Sequence, residues 1–374
     1  MPVKEYPFYI KSTVILFGLV LLTYTLTNLR DILTPLAFAL IIAILLNPIT
    51  NRLLKKRFPK ALAIVAAMLI AFISLACLIY FLSSQMAMFA DSFPLLIEKF
   101  NHLLLQLQNY VQKDFGVSIN KQVQLINEAV NSGKALIGRT LGTALGILAV
   151  VFLIPVYVFL LLWYKTLMLN FLYQVFAEEN SEKVAEVLNE TKIAIQSYMV
   201  GLLMEAGIVA ILNSIALLIL DVKYAILLGV LGALLNMVPY IGGIIAILLP
   251  VLMATVTKDG FSTQLGIVGA YALIQFIDNN FLVPKIVSSK VQINALVSIL
   301  VVLLGGSLWG IPGMFLSIPF VAIIKIIFDR IEELKPWGKL LGDEGPTHYR
   351  GPHWFNKRDK KDSVAEKIVK ETGQ

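Results

Sequence analysis

The sequence predicts an all-α, polytopic integral membrane protein with about eight membrane segments. Its 374 residues are 58% hydrophobic and only 15% charged, with a mean hydropathy of +0.80, whereas soluble domains average about 25% charged residues. Two apolar runs, residues 224–257 and 293–328, are each broken midway by glycine and proline. Because one helix crosses a bilayer in about 20 residues, each run predicts a broken or re-entrant hairpin.

The N-terminal unit, residues 1–82, is predicted to hold a helical hairpin and a third membrane span. The apolar runs 12–29 and 32–49 form the hairpin, and residues 61–82 form the third span. A basic loop lies between them. Its cations are Arg52, Lys55, Lys56, Arg57 and Lys60. Loops rich in lysine and arginine stay in the cytoplasm, which predicts a cytoplasmic loop and a cytoplasmic N-terminus.

Residues 83–138 are predicted to form an extracytoplasmic amphipathic helical insert. Apolar residues recur there at helical intervals among polar ones, as is typical of a helix outside the membrane plane. A small cap packed on the spans and a lid or inter-subunit collar both fit this pattern. A further membrane span is predicted over residues 139–164, followed by a charged cytoplasmic helix over residues 165–196.

The C-terminal half is predicted to contain a membrane domain with broken helices, residues 197–328, and a basic cytoplasmic tail, residues 329–374. Whether each broken run is re-entrant or crosses twice stays open. Both readings give an even number of crossings, so the tail lies on the same side as the N-terminus. We therefore expect a multi-pass protein surrounded by membrane lipids, with both termini in the cytoplasm.

Composition and motifs argue against several classes of function. The net charge of +7 could indicate nucleic-acid binding, but no basic helix or aromatic platform lies outside the membrane segments, so no nucleic-acid partner is expected. The three histidines are scattered outside the spans, and the sequence lacks an HExxH pair, a cysteine cluster and a phosphate-binding loop. We expect no catalytic residues, no metal and no cofactor, and we expect that the chain is not an enzyme.

Polar residues within one predicted span are the first candidates for a functional site, because an ionisable group in a bilayer is costly and usually functional. The densest group consists of Gln275, Asp278, Asn279 and Asn280, with Pro284 and Lys285 just beyond. Asp278 could bind a proton or an ion. It could instead end its helix near the headgroups and pair with Lys285.

Glu205 is a second candidate for a proton or ion relay. It stands largely alone in an apolar helix, with Asn213 about two turns further on. An interhelical hydrogen bond or salt bridge would also explain it.

The two breaks complete the predicted solute pathway. The first contributes Asn236, Pro239, Tyr240, Gly242 and Gly243, and the second contributes Gly310, Pro312 and Gly313. The ends of broken helices present N–H and C=O dipoles without burying full charges. Paired broken helices of this kind indicate a transport site near the middle of the membrane.

Three stretches, residues 224–243, 278–287 and 305–319, together resemble the autoinducer-2 exporter family of PerM-like permeases. The order of spans also fits this family over nearly the whole chain. The resemblance implies a bacterial inner-membrane protein that forms a homo-oligomer and has no ATPase domain. It further implies export of autoinducer-2 or exchange of sodium for protons. The sequence departs from the family pattern at Leu202, where a glutamine is common.

The leading hypothesis is therefore a secondary transporter or exporter of a small polar solute, autoinducer-2-like by resemblance. The alternative is an antiporter that exchanges sodium or another monovalent cation for protons, with Asp278 or Glu205 binding each in turn. A further alternative is a membrane scaffold whose insert binds a partner.

Overall fold

The computed structural model describes residues 7–115, 144–176, 181–238, 242–258, 260–287 and 293–343. Within these ranges all regular structure is helical and no strand occurs. The α-helices are α1 (Phe8–Asn28), α2 (Arg30–Lys55), α3 (Lys60–Phe115), α4 (Ala144–Trp163), α5 (Lys165–Val175), α6 (Ser181–Ile219), α7 (Ala225–Asn236), α8 (Gly242–Thr257), α9 (Ser262–Ile277), α10 (Ala295–Trp309), α11 (Ile311–Arg330) and α12 (Lys335–Leu341). A π-helical segment, Asp278–Val287, continues α9, and a 3-10 turn, Glu332–Leu334, precedes α12.

Six of these helices are long and apolar enough to cross a membrane. They are Phe8–Asn28, Arg30–Lys55, the first part of α3 (Lys60–Phe89), Glu182–Ile219, Ser262–Ile286 and Ile311–Arg330. A seventh candidate is the pair α4 and α5, whose axes differ by 63°. The prediction of an all-α, multi-pass membrane protein is thereby confirmed for the described residues.

Helix α3 is a single helix of 56 residues. At 1.5 Å per residue it is about 84 Å long, nearly three times the thickness of the hydrocarbon core. Its strongly apolar part ends near Phe89, and the helix continues through residue 83, where the insert is predicted to begin. The rest of the predicted insert, residues 116–138, lies outside the described residues.

The first broken run forms the helix pair α7 and α8. The two helices have 12 and 16 residues, or about 18 and 24 Å, which is short of the roughly 30 Å hydrocarbon core. Asp221, just before α7, forms an ion pair with Lys258, just after α8, and this hydrogen bond lowers the pKa of Asp221. An exposed ion pair adds little stability, but it shows that the run starts and ends at the same place.

The second broken run forms the helix pair α10 and α11, which is joined by Gly310 alone. Gly310 has φ 65° and ψ −143°, a conformation that glycine adopts without a Cβ clash. The two backbones then pack directly together, because a Cβ on Gly313 would overlap the carbonyl group of Gly305.

Helix α6 is the centre of the C-terminal half. Its Ile195, Tyr198, Met199 and Leu202 are buried against α2 and α11, and its Leu217 packs on α7, α8 and α9. By contrast, α1 has no buried residue. The indole nitrogen of Trp309 donates a hydrogen bond to the carbonyl oxygen of Leu26 at 2.9 Å and so ties the end of α1 to α10.

Candidate functional site

A small polar cavity lies between α6, the pair α7 and α8, and α9. Its lining residues are Val209, Asn213, Gly232, Asn236, Gly243, Ala246, Tyr271, Ile274, Gln275 and Asp278. The volume open to the centre of a water-sized sphere is about 10 Å³, close to the minimum that holds one water molecule. In this conformation the cavity is therefore large enough for one water or one bare cation and too small for a sugar-sized solute.

Asp278 lies at the base of this cavity and is only 2% exposed. Its Oδ2 accepts a hydrogen bond from Nδ2 of Asn236 at 3.1 Å, which joins the end of α7 to the start of the π-helical segment. Lys285 is exposed and belongs to none of the ion pairs among the described residues. The predicted pairing of Asp278 with Lys285 is therefore wrong.

Glu205 is also buried, and its carboxyl group lies close enough to that of Asp278 for the two to interact electrostatically. The expectation that Glu205 stands largely alone is wrong, because α6 packs against the π-helical segment and brings the two side chains together. Two buried carboxyl groups that lie close together disfavour each other's negative charge.

The neighbours of this pair from each packed element carry no positive charge in the described part of the chain. Asn236 faces it from α7, Tyr271 and Gln275 line the same cavity from α9, and Tyr198 lies near Glu205 on α6. Neither carboxyl group belongs to an ion pair there. The site thus has two neighbouring buried carboxyl groups that are surrounded by amides and hydroxyls.

Two glycines keep room for polar side chains in the cavity wall. A Cβ on Gly232 would lie 3.4 Å from Nδ2 of Asn213 and 3.6 Å from the hydroxyl oxygen of Tyr271. A Cβ on Gly243 would lie 3.3 Å from Oε1 of Gln275. Helix α8 also starts tightly against the end of α7, because a Cβ on Gly242 would overlap the carbonyl group of Leu235.

Three buried polar atoms that face this region have no hydrogen-bond partner among the described residues. They are Oδ1 of Asn213, the hydroxyl oxygen of Tyr271 and Oδ1 of Asp278. Burying such an atom without a partner costs about 1 to 3 kcal/mol. A small polar ligand or a water molecule would satisfy them, so the wall is built to interact with a polar species.

The structure brings only some of the predicted pathway residues together. Asn236, Gly243, Gln275 and Asp278 line the cavity, and Gly242 starts α8 beside it. Pro239 and Tyr240 lie outside the described residues. Sequence reasoning missed the roles of Gly232 and Tyr271, although the spacing of seven residues between Tyr271 and Asp278, about two helical turns, was an available signal.

The remaining predicted pathway residues lie away from this cavity. Asn279 and Asn280 are exposed and bond to residues of α9, namely Nε2 of Gln275 and the carbonyl oxygen of Phe276. Pro284 and Lys285 are also exposed. Gly310, Pro312 and Gly313 lie at the junction of α10 and α11, and none of the three lines the cavity.

A π-helical segment begins at Asp278 and contains Pro284. Pro284 has no N–H to donate to the carbonyl group four residues earlier, and its ring would clash there in an α-helix. Wider π-helical turns accommodate the proline, and such turns are rare and often found at functional sites. At the start of this segment Asp278 is buried and its neighbour Asn279 is exposed.

Metal binding has little support in the described part of the chain, where no group of three or more histidine, cysteine, aspartate or glutamate side chains could hold a metal ion. The carboxyl pair, the amide of Asn236 and the hydroxyl of Tyr271 are suited to protons, hydroxyl-bearing solutes or a single small cation.

Comparison with known proteins agrees with the motifs. The sequence model of the AI-2E family of transporters matches residues 12–333. The chain belongs to this family. The AI-2 transport protein TqsA of Escherichia coli K12 is 26% identical over 339 residues, covering 89% of this chain and 96% of TqsA. YrrI of Bacillus subtilis 168, a candidate transport protein, is 25% identical over 310 residues, covering 80% of this chain and 86% of YrrI.

A third relative, the candidate permease PerM of Escherichia coli K12, is 28% identical over 218 residues, covering 57% of this chain and 61% of PerM. The predicted resemblance to PerM-like permeases is confirmed. This AI-2E family protein is a membrane transporter or permease, and its buried polar cavity lies within the matched residues.

Proposed function

We propose that this protein carries a small polar solute across the membrane along a route that passes the cavity between α6, α7, α8 and α9. The observation that carries the proposal is the group of three buried polar atoms without partners around one cavity. The name of TqsA, an AI-2 transport protein, and the family resemblance support an AI-2-like molecule as the solute and export as the direction.

The described conformation is a closed state in this proposal, because the cavity has room for about one water molecule. A solute could pass if the tip of the pair α7 and α8 moved away from the π-helical segment. The Asn236–Asp278 hydrogen bond holds the two together. A hydrogen bond to a charged group contributes about 1.5 to 3 kcal/mol, so a polar solute that binds Asp278 could replace it.

The lengths and contacts of the helices support a topology of eight membrane segments. We infer that α7 and α8 form a re-entrant hairpin, because both are short and their distal ends meet at Asp221 and Lys258. We infer that α10 and α11 form a second hairpin, in which α11 is long enough for a full span and α10 is shorter. The eight segments are then α1, α2, α3, α4, α6, the α7–α8 hairpin, α9 with its π-helical continuation, and the α10–α11 hairpin.

The proposed orientation follows from contacts that gather at one face of the protein. Lys60 next to the basic loop bonds the end of α4 at Trp163, and Arg330 at the end of α11 pairs with Glu186 and Glu190 near the start of α6. The positive-inside rule supports a cytoplasmic location for this face, with both termini there, in the bacterial inner membrane.

The same orientation supports the predicted division of the chain. Residues 1–82, 139–164 and 197–328 would lie in the membrane, residues 83–138 outside the cell membrane, and residues 165–196 and 329–374 in the cytoplasm. We also propose a homo-oligomer, in which the unburied helix α1 is the surface available to a second copy or to lipid.

Filling the cavity tests the proposed route. In Gly232→Ala the new methyl group would make contacts of 3.4 to 3.6 Å with its neighbours, so the protein should fold while the cavity loses its space. We expect flux of an AI-2-like solute into proteoliposomes to fall to the background of protein-free vesicles. Gly269→Ala is the matched control, since no atom lies within 4 Å of its added Cβ. Equal flux in the two variants would exclude the route.

The two neighbouring buried carboxyl groups of Glu205 and Asp278 favour proton-coupled cation exchange as a second candidate function. A monovalent cation that enters the cavity could replace a proton bound by the pair, whose net charge would then stay unchanged. Only the second function predicts a proton flux that accompanies cation flux when no organic solute is present. No contact among the described residues bears on the scaffold alternative.

A further inference from the structure

Three lysine side chains converge on the face of the protein that carries the basic loop. Nζ of Lys165 donates a hydrogen bond to Oδ1 of the buried Asn47 at 2.9 Å. Nζ of Lys60 donates to the carbonyl oxygen of Trp163 at 2.6 Å and lies 5.3 Å from the centre of the indole ring. Both Lys60 and Lys192 lie near enough to Lys165 to repel its positive charge.

Helix α6 holds Lys192 at this place. Lys192 is one turn before Gln196, whose Nε2 donates a hydrogen bond to the carbonyl oxygen of Ile44 at 2.6 Å. Ile44 is in turn about one turn before Asn47 on α2. These contacts fix α6 against α2 and bring Lys192 to the level of Asn47, which Lys165 contacts. The lysine cluster (Lys60, Lys165 and Lys192) is therefore drawn from three separate helices, α3, α5 and α6.

The lysine cluster has no acidic partner in the part of the chain that the structure describes. None of its three lysines belongs to an ion pair there. The acidic residues that precede Lys192 on α6, Glu186 and Glu190, pair with Arg330 instead. Like charges held together at a partly buried site repel one another, so an anion bound among them would stabilise the arrangement.

The surroundings of the lysine cluster are typical of a membrane interface. Helix α5 begins at Lys165, turns 63° away from α4 and exposes Leu167, Met168 and Phe171. Trp163 and Tyr164 lie at the bend between the two helices and are also exposed. Aromatic residues at the end of a span, followed by a helix with exposed apolar side chains, mark the level of the lipid headgroups.

We propose that Lys60, Lys165 and Lys192 bind the phosphate group of one anionic phospholipid, whose acyl chains lie along the exposed apolar side chains of α5. Basic pockets between transmembrane helices on the cytoplasmic side are suited to such headgroups. The charge of the cluster selects the anion, and the apolar surface of α5 selects a lipid over a free phosphate ion. The lipid would hold α5 at the membrane surface, and this role does not depend on which solute the protein carries.

Lipid retention by the full-length protein tests this proposal. The protein is reconstituted in phosphatidylcholine with a small fraction of phosphatidylglycerol and is then extracted gently. Native mass spectrometry measures the mass of the protein together with any lipid that stays bound. We expect the wild type to retain one phosphatidylglycerol. Lys165→Gln and Lys192→Gln should each weaken retention about fivefold, the effect of one lysine near an anionic membrane surface. Lys56→Gln, which removes the same charge from the exposed loop nearby, should retain the lipid like the wild type.

Further variants keep the test decisive. Lys165→Arg keeps the positive charge and should retain the lipid. If Lys165→Gln does not insert into the membrane, the result for Lys192→Gln decides the test, because Lys192 is only half-buried. Equal loss in Lys56→Gln would show a diffuse attraction and overturn the site. Unchanged retention in Lys192→Gln would also overturn it. Displacement of the lipid by inorganic phosphate alone would show a site for free anions and refute the lipid.

Discussion

Glu205 and Asp278 are the charged residues that are buried in the described part of the chain. They come from helices distant in sequence, lie close to each other and lie beside a cavity with three unsatisfied polar atoms. Burying ionisable groups in a membrane is costly, and a chain that keeps two of them together generally uses them. At the residue scale, their removal therefore separates the two transport functions.

Asp278→Asn and Glu205→Gln keep the size of each side chain and remove its titratable proton. If transport is coupled to protons, either variant should lose the pH change that accompanies cation flux in sealed vesicles. If the route carries an organic solute, Asp278→Asn should lower its flux more than Glu205→Gln, because Asp278 lines the cavity and accepts the hydrogen bond from Asn236.

Glu98→Gln is the control for these two variants, since Glu98 is exposed on α3 and far along the chain from the cavity. It should transport like the wild type. Unchanged rates and an unchanged pH dependence in both Asp278→Asn and Glu205→Gln would contradict a role in transport and leave the pair a structural feature.

The α7–α8 pair is the element that gives the site its shape. Glycines at positions 232, 242 and 243 let its two backbones and the neighbouring polar side chains approach closely. The pair's short helices leave its tip at the level of Asp278, in a region where broken backbone is tolerated only when protein or water covers it. The geometry of this element can be tested apart from transport.

A disulfide across the pair provides that test. A Cβ on Gly232 would lie 3.4 Å from Cβ of Ala246, close to the separation of about 3.5 to 4.5 Å in disulfides. In a Cys77→Ser background, Gly232→Cys with Ala246→Cys should cross-link on mild oxidation within the membrane. Gly232→Cys with Leu252→Cys, which places the second thiol on the exposed face of α8, should not. Failure of the first pair to cross-link would contradict the hairpin.

The sequence predicted the parts of this element that have local signals. Glycine, proline and single polar residues are conspicuous in an apolar run, so the breaks, Asn236 and Asp278 were all recognised as candidates. The partner of Asp278 was not predicted correctly. Lys285 is two turns away in sequence, whereas Glu205 lies on another helix and reaches Asp278 only through the packing of α6. Periodicity carries no information about such a tertiary pair.

Changes in composition also did not mark the ends of helices. The polar residues after Ser83 predict a new region, and the structure continues the same helix to Phe115. Helix α6 likewise runs from the charged region before residue 197 into the membrane without a break. The composition of a segment indicates whether water or lipid surrounds the helix. It does not indicate where the helix ends, because the backbone hydrogen bonds continue across the boundary between water and lipid.

At the scale of the whole molecule, the described polar contacts fall at three levels. One face carries the Lys60–Trp163 and Arg330–Glu190 contacts, and the other carries the Asp221–Lys258 pair and the hydrogen bond from the Tyr224 hydroxyl to Met88. The cavity and its carboxyl pair lie between them. This arrangement is what a solute route through the membrane domain requires, with a closed polar site between two polar faces.

Access to the cavity during transport is the most direct test of that route. A single cysteine is introduced as Val209→Cys in a Cys77→Ser background, because Val209 lines the cavity and the smaller cysteine leaves its space open. A small membrane-impermeant thiol reagent is then added to proteoliposomes that transport the proposed solute. We predict that the reagent labels this cysteine, that labelling abolishes flux and that excess solute slows labelling, while labelled Gly269→Cys keeps its flux. Full flux after complete labelling of Val209→Cys would contradict a route through this cavity.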